Sequence, residues 1–251
     1  MIDLSRRLAL VTGGSRGIGT ACVRALARAG GGVAFSYREQ GEAARGLTGE
    51  MEEEGRKVFA IQAELGDRDA CEDLVRESVS HLGGLDILVH SAGIWTGGAI
   101  EAMPDEVWAE TMRVNLDSAF YLTRAAVPHL RGKEHGRIIY ISSTAAQRGE
   151  AGHSHYAASK GAVQSFTKSL AVELASDEIT VNAVAPGWVR TEMVTAPLSE
   201  AELESAVAGI PRGRMADPED IAGPVLFLAS DLAAHVTGEI LNVNGGAVLC
   251  G

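Results

Sequence analysis

The amino-acid sequence predicts an α/β fold, namely a doubly wound, seven-stranded parallel sheet with helices on both faces. Three observations support this fold class. Short apolar, β-rich runs alternate with helical patterns along the chain, as they do in parallel sheets with crossover helices. Several runs are apolar almost throughout, which is typical of strands covered on both faces. A glycine-rich turn also joins the first run to the first helical pattern.

Seven strands are expected, with six helical segments between them, at residues 8–12, 32–36, 58–62, 85–90, 137–142, 180–185 and 239–243. Apolar residues spaced three and four apart predict a first helix over residues 18–29, which a run of glycines then ends. The same spacing predicts a third helix over residues 71–82. Asp217 and Pro218, followed by two acidic residues, predict the start of the last helix.

The patterning indicates a single domain over residues 1–251, because no proline- or serine-rich linker divides the chain and no repeat period appears. One stretch, residues 187–213, is longer than an ordinary connection and should carry a short helix over residues 203–210. Long loops inside compact domains are commonly lids, so we expect a substrate lid there.

The charge balance excludes several classes of protein. With 22 basic and 33 acidic residues, a net charge of −11, the chain lacks the positive charge of proteins that bind nucleic acids or anionic membranes. No apolar run is long enough to span a bilayer, and the N-terminus shows no signal-peptide pattern. Cys22, Cys71 and Cys250 are odd in number and far apart, which indicates reduced thiols rather than disulfides or a metal site. We therefore expect a cytoplasmic protein without a metal.

The first chemical motif is the segment TGGSRGIG at residues 12–19, between the first strand and the first helix. Gly13 permits a tight turn, Gly17 lets the backbone approach a pyrophosphate, and Gly19 lets the helix pack closely on the sheet. The N-terminus of the helix offers free N–H donors and the positive end of its dipole to phosphates. The motif therefore predicts a nucleotide-binding turn.

The G-x-x-x-G-x-G spacing of this turn resembles that of the short-chain dehydrogenase/reductase family, and further motifs of the family follow in order. Tyr156 and Lys160 match its Tyr-x-x-x-Lys pair, and Ser143, thirteen residues before the tyrosine, matches its catalytic serine. The remaining matches are Asn115 on the preceding helix, Pro186 and Gly187 with Thr191, and the segment VNGG at residues 243–246. The resemblance covers residues 4–246 and implies a Rossmann-type fold.

The matched residues also have a chemical rationale. Tyr156 and Lys160 are four residues apart, so they share one face of a helix, where an ammonium group lowers the pKa of a phenol. Such a phenol can protonate a carbonyl oxygen as hydride arrives, or deprotonate an alcohol in the reverse direction. The Ser143 hydroxyl can hold and polarise that oxygen. The resemblance implies that Lys160 also reaches the nicotinamide ribose and that Asn115 holds a water in a proton relay.

The resemblance implies a cofactor site with three departures from the family pattern, at His90, Ser91 and Glu64. Besides the tyrosine and the lysine, this site comprises Gly13, Ser15, Arg16, Gly17, Ile18, Gly19, Arg38, Glu64, Leu65, Ser91, Ala92, Gly93, Pro186, Gly187, Val189 and Thr191. His90 and Ser91 stand where the family often has two asparagines, so we expect to lose one strand-bridging hydrogen bond and one contact with adenosine. Glu64 replaces the usual aspartate beside the adenine, which should displace that edge slightly.

The cofactor is predicted to be NADP(H). An acidic residue at the tip of the second strand would hold the 2′-hydroxyl of NAD, whereas arginine accommodates the 2′-phosphate of NADP. Here the strand is followed by Arg38, and Glu39 comes one position late for a ribose contact. Arg16 supplies a second guanidinium group, and in the family this pair marks NADP(H) preference. The alternative is that both arginines are solvated surface charges.

The substrate is less well defined. Its pocket is expected from residues 94–95, residues 144–155 and the segment that begins at Gly187. Trp95 and Trp188 either wall an apolar substrate or serve as ordinary packing. His153 and His155 flank Tyr156, and a partly exposed loop histidine is the more common explanation for each.

The leading hypothesis is an NADP(H)-dependent oxidoreductase that transfers a hydride between nicotinamide and a small-molecule carbonyl or secondary alcohol. The overall pattern also resembles 3-oxoacyl-[acyl-carrier-protein] reductases of fatty-acid synthesis, which dock an acidic carrier through basic residues. Arg131, Lys133 and Lys168 suit that partner, but Glu134, Asp177 and Glu178 oppose it, so this alternative is the minor one.

Two further alternatives come from other classes of function. A non-catalytic NADPH-binding regulator has no physical need for the intact set of Asn115, Ser143, Tyr156 and Lys160. An epimerase or dehydratase usually needs a longer C-terminal substrate domain than 251 residues allow. The resemblance also implies a homo-oligomer, commonly a tetramer, with interfaces on residues 115–130, residues 156–175 and the C-terminal strand.

Overall fold

A seven-stranded parallel sheet organises the chain, of which the structure, a computed structural model, describes residues 2–133 and 135–249. The strands lie in the order β3-β2-β1-β4-β5-β6-β7, and every neighbouring pair is parallel. Their bounds are β1 (Leu8–Thr12), β2 (Gly32–Tyr37), β3 (Val58–Gln62), β4 (Ile87–His90), β5 (Gly136–Ile141), β6 (Ile179–Pro186) and β7 (Ile240–Val243). The predicted fold class is confirmed, and no strand boundary differs from its prediction by more than two residues.

Helices fill the connections between the strands. They are α1 (Gly17–Arg28), α2 (Gly41–Glu53), α3 (Arg68–Leu82), α4 (Asp105–Met112), α5 (Ser118–Leu130), α6 (Ala145–Arg148), α7 (Ser154–Glu173), α8 (Glu192–Thr195), α9 (Glu200–Ala208) and α10 (Pro218–Ala229). A π-helical turn, Arg113–Asp117, joins α4 to α5. The short helix expected over residues 203–210 is α9, which starts at the capping box of Ser199 and Glu202 and ends before the buried Ile210.

The side chains of β1 alternate between two apolar clusters, one on each face of the sheet. Ala9 and Val11 belong to the first cluster and Leu10 to the second, because successive residues of a strand point to opposite faces. Residues of α1, α2 and α10 complete the first cluster, and residues of α3, α5 and α7 complete the second. Both faces are therefore covered, which explains why the strands are apolar almost throughout.

The strand order reverses between β1 and β4, which are neighbours in the sheet although β2 and β3 separate them in the chain. Ligands of open α/β sheets bind outside the carboxyl ends of the strands at such a point. Thr12, the last residue of β1, ties the two strand ends together. Its Oγ1 accepts the backbone N–H groups of Ser91 and Ala92, each at 3.1 Å.

The structure bears on the expectation of reduced cysteines and on the expectation that no segment spans a membrane. Cys22 and Cys71 are buried free thiols, whereas Glu134 and Cys250 lie outside the described residues. Among the helices that the structure describes, none combines the length and the apolar character that a membrane span requires.

A buried hydrogen bond between α5 and β5 provides a test of the core. Thr123 Oγ1 and Tyr140 Oη lie 2.6 Å apart, and both side chains are buried. We expect Tyr140→Phe to lower the free energy of unfolding by about 1–2 kcal/mol, because the Thr123 hydroxyl loses its partner. Urea unfolding measures this loss. The double variant Thr123→Val/Tyr140→Phe removes both polar groups and should lose less than the sum of the single variants; strictly additive losses would contradict the coupling.

Candidate active site

The glycine-rich turn between β1 and α1 is held by the end of β2. Gly13 has φ +66°, a left-handed conformation that side chains rarely adopt, and its N–H donates to Ser36 Oγ at 3.2 Å. A Cβ atom on Gly19 would overlap the Gly13 carbonyl oxygen, so glycine is required for α1 to begin this close to the turn. The first turn of α1, whose N–H groups have no intrahelical acceptors, therefore faces the cleft beside it.

That cleft has a volume of about 250 Å³ and lies at the carboxyl edge of the sheet. All the residues that the sequence assigns to the cofactor line it, from Gly13 in the glycine-rich turn to Thr191 beyond β6. A second group of lining residues was not assigned to the cofactor from the sequence, although most directly adjoin predicted site residues: Ser36, Tyr37, Glu39, Gln40, Ala63, Ile94, Val114, Ile141, Ser142, Glu192, Met193 and Val194. The structure thus brings the predicted set together, and its contacts with a nucleotide stay a prediction.

Ser143 and Tyr156 lie at the boundary between this cleft and a second, smaller cavity, because both side chains line each of the two. Ser143 lies two residues after the end of β5, and Tyr156 lies in the first turn of α7. Ser143 Oγ accepts the N–H of Ala145 at 3.1 Å, and Ser143 lies close enough to Tyr156 to act on the pKa of its phenol. The two hydroxyls are therefore placed to contact the same oxygen atom of a ligand.

Lys160 lies one turn beyond Tyr156 on α7 and is only 4% exposed. Its Nζ donates to the backbone carbonyl of Ile141 at 2.8 Å and lies 5.9 Å from the centre of the Tyr156 ring. Burial lowers the pKa of Lys160 to about 8, since a charged ammonium is costly to remove from water. A single well-directed backbone acceptor therefore orients this group.

The expected lowering of the Tyr156 pKa is not found. Burial raises the pKa of Tyr156 to about 12, and the hydrogen bond from Ser143, which acts in the opposite direction, does not outweigh it. The spacing in the sequence places the ammonium of Lys160 on the same helical face as the phenol, but the removal of the phenol from water depends on the folded surroundings. The phenol is therefore protonated at neutral pH.

Asn115 lies in the π-helical turn and lines neither cavity. Its Oδ1 accepts the N–H of Ile94 at 2.8 Å, and its Nδ2 donates to the Ile94 carbonyl at 3.0 Å and to Ser159 Oγ at 3.1 Å. A Cβ atom on Gly93 would lie 3.1 Å from the Asn115 Oδ1 and 3.4 Å from the Lys160 Nζ, so the loop after β4 packs tightly there. Asn115 thus fixes that loop against α7, and its role in a proton relay stays a prediction.

Two of the three departures from the family pattern, His90 and Glu64, have hydrogen-bond partners in the structure. His90 is buried, and its Nε2 lies 2.8 Å from Ser118 Oγ, which itself donates to the Val114 carbonyl at 2.6 Å. The Ser118 hydroxyl hydrogen is thereby committed, so His90 Nε2–H is the donor. At the other departure, Glu64 Oε1 accepts the N–H of Gly66 at 3.3 Å. His90 therefore links β4 to α5.

The two arginines that the sequence assigns to a 2′-phosphate line the same cleft and are about half exposed. Arg38 pairs with Glu39 at 3.0 Å and lies 3.9 Å from Glu64, while Arg16 lies 3.9 Å from Glu192. Exposed pairs of this kind contribute at most about 1 kcal/mol, so an incoming phosphate can replace these carboxylates. In the glycine-rich turn, Cβ atoms would crowd the neighbouring backbone, so the turn needs its glycines to keep this shape. The turn and the two arginines together suit a dinucleotide that carries a 2′-phosphate.

The second cavity, of about 60 Å³, is lined by both tryptophans that the sequence singled out. Trp95 and Trp188 meet at 86° with their ring centroids 6.1 Å apart, and His153 stacks on Trp95 at 4.3 Å. His153 is partly exposed, as expected. His155 is not, because it is buried within α7 with its Nε2 3.2 Å from Thr96 Oγ1; the expectation of an exposed loop histidine is wrong there.

Gln164 also supports the site, although sequence reasoning did not single it out. Its Nε2 donates to Ser142 Oγ at 3.1 Å and to the Ser143 carbonyl at 3.3 Å. The signal was its spacing, since Gln164 follows Lys160 by four residues on the same helical face. These bonds fix α7 to the end of β5.

This combination of fold and site is that of an oxidoreductase that works with a nicotinamide nucleotide. Residues 13–248 match a family model described as Enoyl-(Acyl carrier protein) reductase. A 3-oxoacyl-[acyl-carrier-protein] reductase FabG from Staphylococcus aureus is 41% identical over 238 residues, which cover 95% of this chain and 96% of that protein. The chain belongs to the short-chain dehydrogenase/reductase family.

Solved structures agree with this membership. A dehydrogenase/reductase from Sinorhizobium meliloti 1021 has a TM-score of 0.94 and 42% identity, covering 98% of this chain and 97% of that one. A blue fluorescent protein from a metagenomic library, in complex with NADPH, has a TM-score of 0.93 and 38% identity, covering 98% of this chain and 100% of that one. The similarity thus extends over nearly the whole length of each chain.

The burial of His90 predicts a specific acid sensitivity. Burial and the nearby Lys160 lower the pKa of His90 to about 3, whereas the unfolded chain binds this proton near pH 6.5. Above pH 6.5 the group costs nothing, and stability falls by about 1.4 kcal/mol per pH unit as the pH drops from 6.5 towards 3. Replacement by glutamine should therefore reduce the loss of unfolding free energy between pH 6.5 and 5 by about 2 kcal/mol.

Urea unfolding at the two pH values measures this effect in the wild type and in His90→Gln. The variant His129→Gln, at an exposed position on α5, serves as the matched control and should keep the wild-type pH dependence. Equal pH dependence in wild type and His90→Gln would show that the imidazole is not held neutral.

Proposed function

We propose that this protein is an NADP(H)-dependent oxidoreductase that transfers a hydride between nicotinamide and a carbonyl or secondary alcohol. The observation that carries the proposal is the position of Ser143 and Tyr156 at the boundary of the two cavities. A substrate oxygen in the small cavity is then next to both hydroxyls and next to the cleft assigned to the cofactor. Bound in that cleft, the nicotinamide supplies or accepts the hydride.

Tyr156 is assigned the proton transfer. In reduction its protonated phenol gives a proton to the oxygen that develops negative charge, and in oxidation the phenolate takes that proton back. Ser143 holds the same oxygen by donating its hydroxyl hydrogen to it instead of to Tyr156, while its Oγ accepts the Ala145 N–H. A pKa of about 12 for the tyrosine keeps the acid form available for reduction.

Lys160 and Asn115 are assigned supporting roles around this proton transfer. The Lys160 ammonium, oriented by the Ile141 carbonyl, holds the nicotinamide ribose and favours the phenolate form of Tyr156 during alcohol oxidation. Asn115 holds the loop that contains Ile94 and, in the family's manner, a water of the proton relay.

A 3-oxoacyl-[acyl-carrier-protein] reductase is the second candidate, and the Staphylococcus aureus relative of that name favours it. Two of the basic residues that would attract an acidic carrier are already neutralised. Arg131 pairs with Asp177 at 2.8 Å, and Lys133 pairs with Asp86 at 2.8 Å. We therefore place free carbonyl compounds first, and comparison of acetoacetyl-carrier protein with free ketones separates the two candidates.

The proposal includes the wider organisation of the protein. Residues 1–251 form one domain, and residues 187–213 act as the lid, since Val189, Thr191 and residues 192–194 line the cleft. Exposed Phe120 on α5 and Val172 on α7 suit a homotetramer with interfaces on residues 115–130, residues 156–175 and the C-terminal strand. Buried free thiols suit a cytoplasmic location, where thiols stay reduced.

The variant Tyr156→Phe tests the acid–base assignment. It should bind NADPH as the wild type does and lower kcat/KM for carbonyl reduction by about 10²- to 10⁴-fold, because the proton donor is gone. Loss of reduced-nicotinamide absorbance, across ketones, aldehydes, sugars and acetoacetyl thioesters, measures the activity. Tyr121→Phe on α5 is the matched control. Wild-type activity in Tyr156→Phe would end this assignment, and NADPH binding without turnover of any compound would favour a regulator.

The variant Arg38→Asp tests the cofactor preference. A carboxylate at this position repels the 2′-phosphate and accepts a hydrogen bond from a 2′-hydroxyl, so NADPH should bind about tenfold or more weakly and NADH should become the preferred cofactor. Fluorescence titration with both nucleotides measures the two dissociation constants. Arg45→Asp, at an exposed position on α2, should leave them unchanged. Unchanged NADPH affinity in Arg38→Asp would remove Arg38 from the phosphate site.

A further inference from the structure

The small cavity beside Ser143 and Tyr156 has in its wall a carboxylate that the proposed reaction does not use. Glu150 lies between α6 and α7, and its side chain is 14% exposed. Trp95 Nε1 donates to one carboxylate oxygen at 3.4 Å, and His153 Nδ1 lies 3.9 Å from the other. Over residues 2–133 and 135–249, no lysine or arginine lies within 4 Å of this carboxylate.

A largely buried carboxylate normally has a cationic partner, because the removal of its charge from water is costly. Here the protein supplies one long indole hydrogen bond and a histidine that is charged only when protonated. The acceptor capacity of Glu150 that faces the cavity is therefore available to a donor on a ligand. A positively charged donor is the one that best offsets its charge.

The aromatic walls favour the same kind of ligand. Trp95 and Trp188 line the cavity and meet edge to face, so the corner combines one ring's face with the other ring's edge. His153 stacks on Trp95 with an interplanar angle of 5°, and a hydrogen bond of 2.8 Å from Gly98 N–H to the Gly152 carbonyl joins the two loops. This arrangement holds the indole in place. Indole faces attract cations electrostatically, most strongly when water is excluded.

Arg148 also lines the cavity, but its position weakens its influence. It is exposed, so water and salt screen its charge, whereas Glu150 acts from a more buried position. The charge of Glu150 is felt at the catalytic group, since it contributes to the raised pKa of Tyr156. The net charge of −11 adds a long-range attraction for cations.

We propose that the substrate of this site is a compact amino ketone or the corresponding amino alcohol, with its ammonium group bound by Glu150, Trp95 and Trp188. The carbonyl or hydroxyl group then faces Tyr156. The cavity of about 60 Å³ is the smaller of the two, which favours a compact ligand. This inference rests on the proposed function. In reduction, hydride from NADPH goes to the carbonyl carbon and the Tyr156 proton to the oxygen, which yields NADP⁺ and an amino alcohol with its nitrogen unchanged.

The decisive experiment compares two alcohols of nearly the same shape in a complex that cannot react. The enzyme–NADPH complex is titrated calorimetrically with 1-amino-2-propanol and with 2-butanol. These two ligands differ only in that the first has an ammonium group where the second has a methyl group. The amine should bind the wild type at least about tenfold more tightly. Glu150→Gln, which keeps the shape of the side chain, should bring the ratio of dissociation constants close to one. Glu173→Gln, at the far end of α7, is the matched control and should keep the wild-type ratio.

A second variant, Trp188→Leu, keeps the inference testable if Glu150→Gln does not fold. Trp188→Leu leaves the contact of Trp95 with Glu150 in place and should lower the binding ratio about threefold through loss of the indole face. A ratio near one in the wild type overturns the inference. A wild-type preference for the amine that persists in both variants also overturns it.

Turnover separates this inference from the proposed function. With NADPH, the wild type should reduce aminoacetone with a higher kcat/KM than 2-butanone, and Glu150→Gln should remove the advantage. The intrinsic reactivity of the two ketones cancels in that comparison between variants. Reduction of 2-butanone together with a binding ratio near one would overturn the inference and leave the oxidoreductase intact. Selective amine binding without reduction of any carbonyl would instead overturn the proposed function.

Discussion

The hydrogen bonds of the Thr12 hydroxyl position the rest of the site. It accepts two N–H groups from the turn after β4 and so joins the strands between which the sheet reverses its order. Beyond that turn, the amide of Asn115 clamps both polar groups of the Ile94 backbone and donates to Ser159. Ser159 in turn donates to the Tyr156 carbonyl at 2.8 Å. These hydrogen bonds, together with the backbone from Ser91 to Ile94, connect the end of β1 to the helix that carries the acid–base pair.

Burial determines the electrostatics of that pair more than proximity does. The phenol of Tyr156 and the ammonium of Lys160 both shift towards their neutral forms, since each loses the water that stabilises its charge. A polar ligand beside these groups therefore changes their protonation more than it would on an exposed surface, because interactions are stronger where water is excluded.

The sequence predicted the fold well because the fold depends on local patterns. A strand covered on both faces must be apolar, so β1 and β5 were recognisable without any knowledge of their neighbours. The motif residues were predictable because they match those of a known family in order and spacing. Most stand at or just after strand ends, which parallel strands bring to one edge, and Ser143 and Gly187 line one cleft there.

The remaining features depend on pairs of residues that no local pattern connects. Trp95 and Glu150 are 55 positions apart, and their contact arises only when the loop after β4 meets the loop before α7. The burial of His155 follows from the packing of α7, so a histidine beside a loop gave no sign of it. The partner of His90 was equally hidden, because Ser118 becomes its acceptor only through the placement of α5. The pKa shifts caused by burial could not be predicted from local patterns either, since the loss of water around a side chain depends on all the residues that surround it.

Met193 and Val194 line both cavities, and this shared wall has a thermodynamic consequence. A ligand that orders these two side chains in one cavity also prepares them in the other, so the second ligand need not supply that ordering free energy again. Linkage makes the effect reciprocal: a nucleotide that tightens the binding of a small molecule is itself bound more tightly, by the same factor, once that molecule is present.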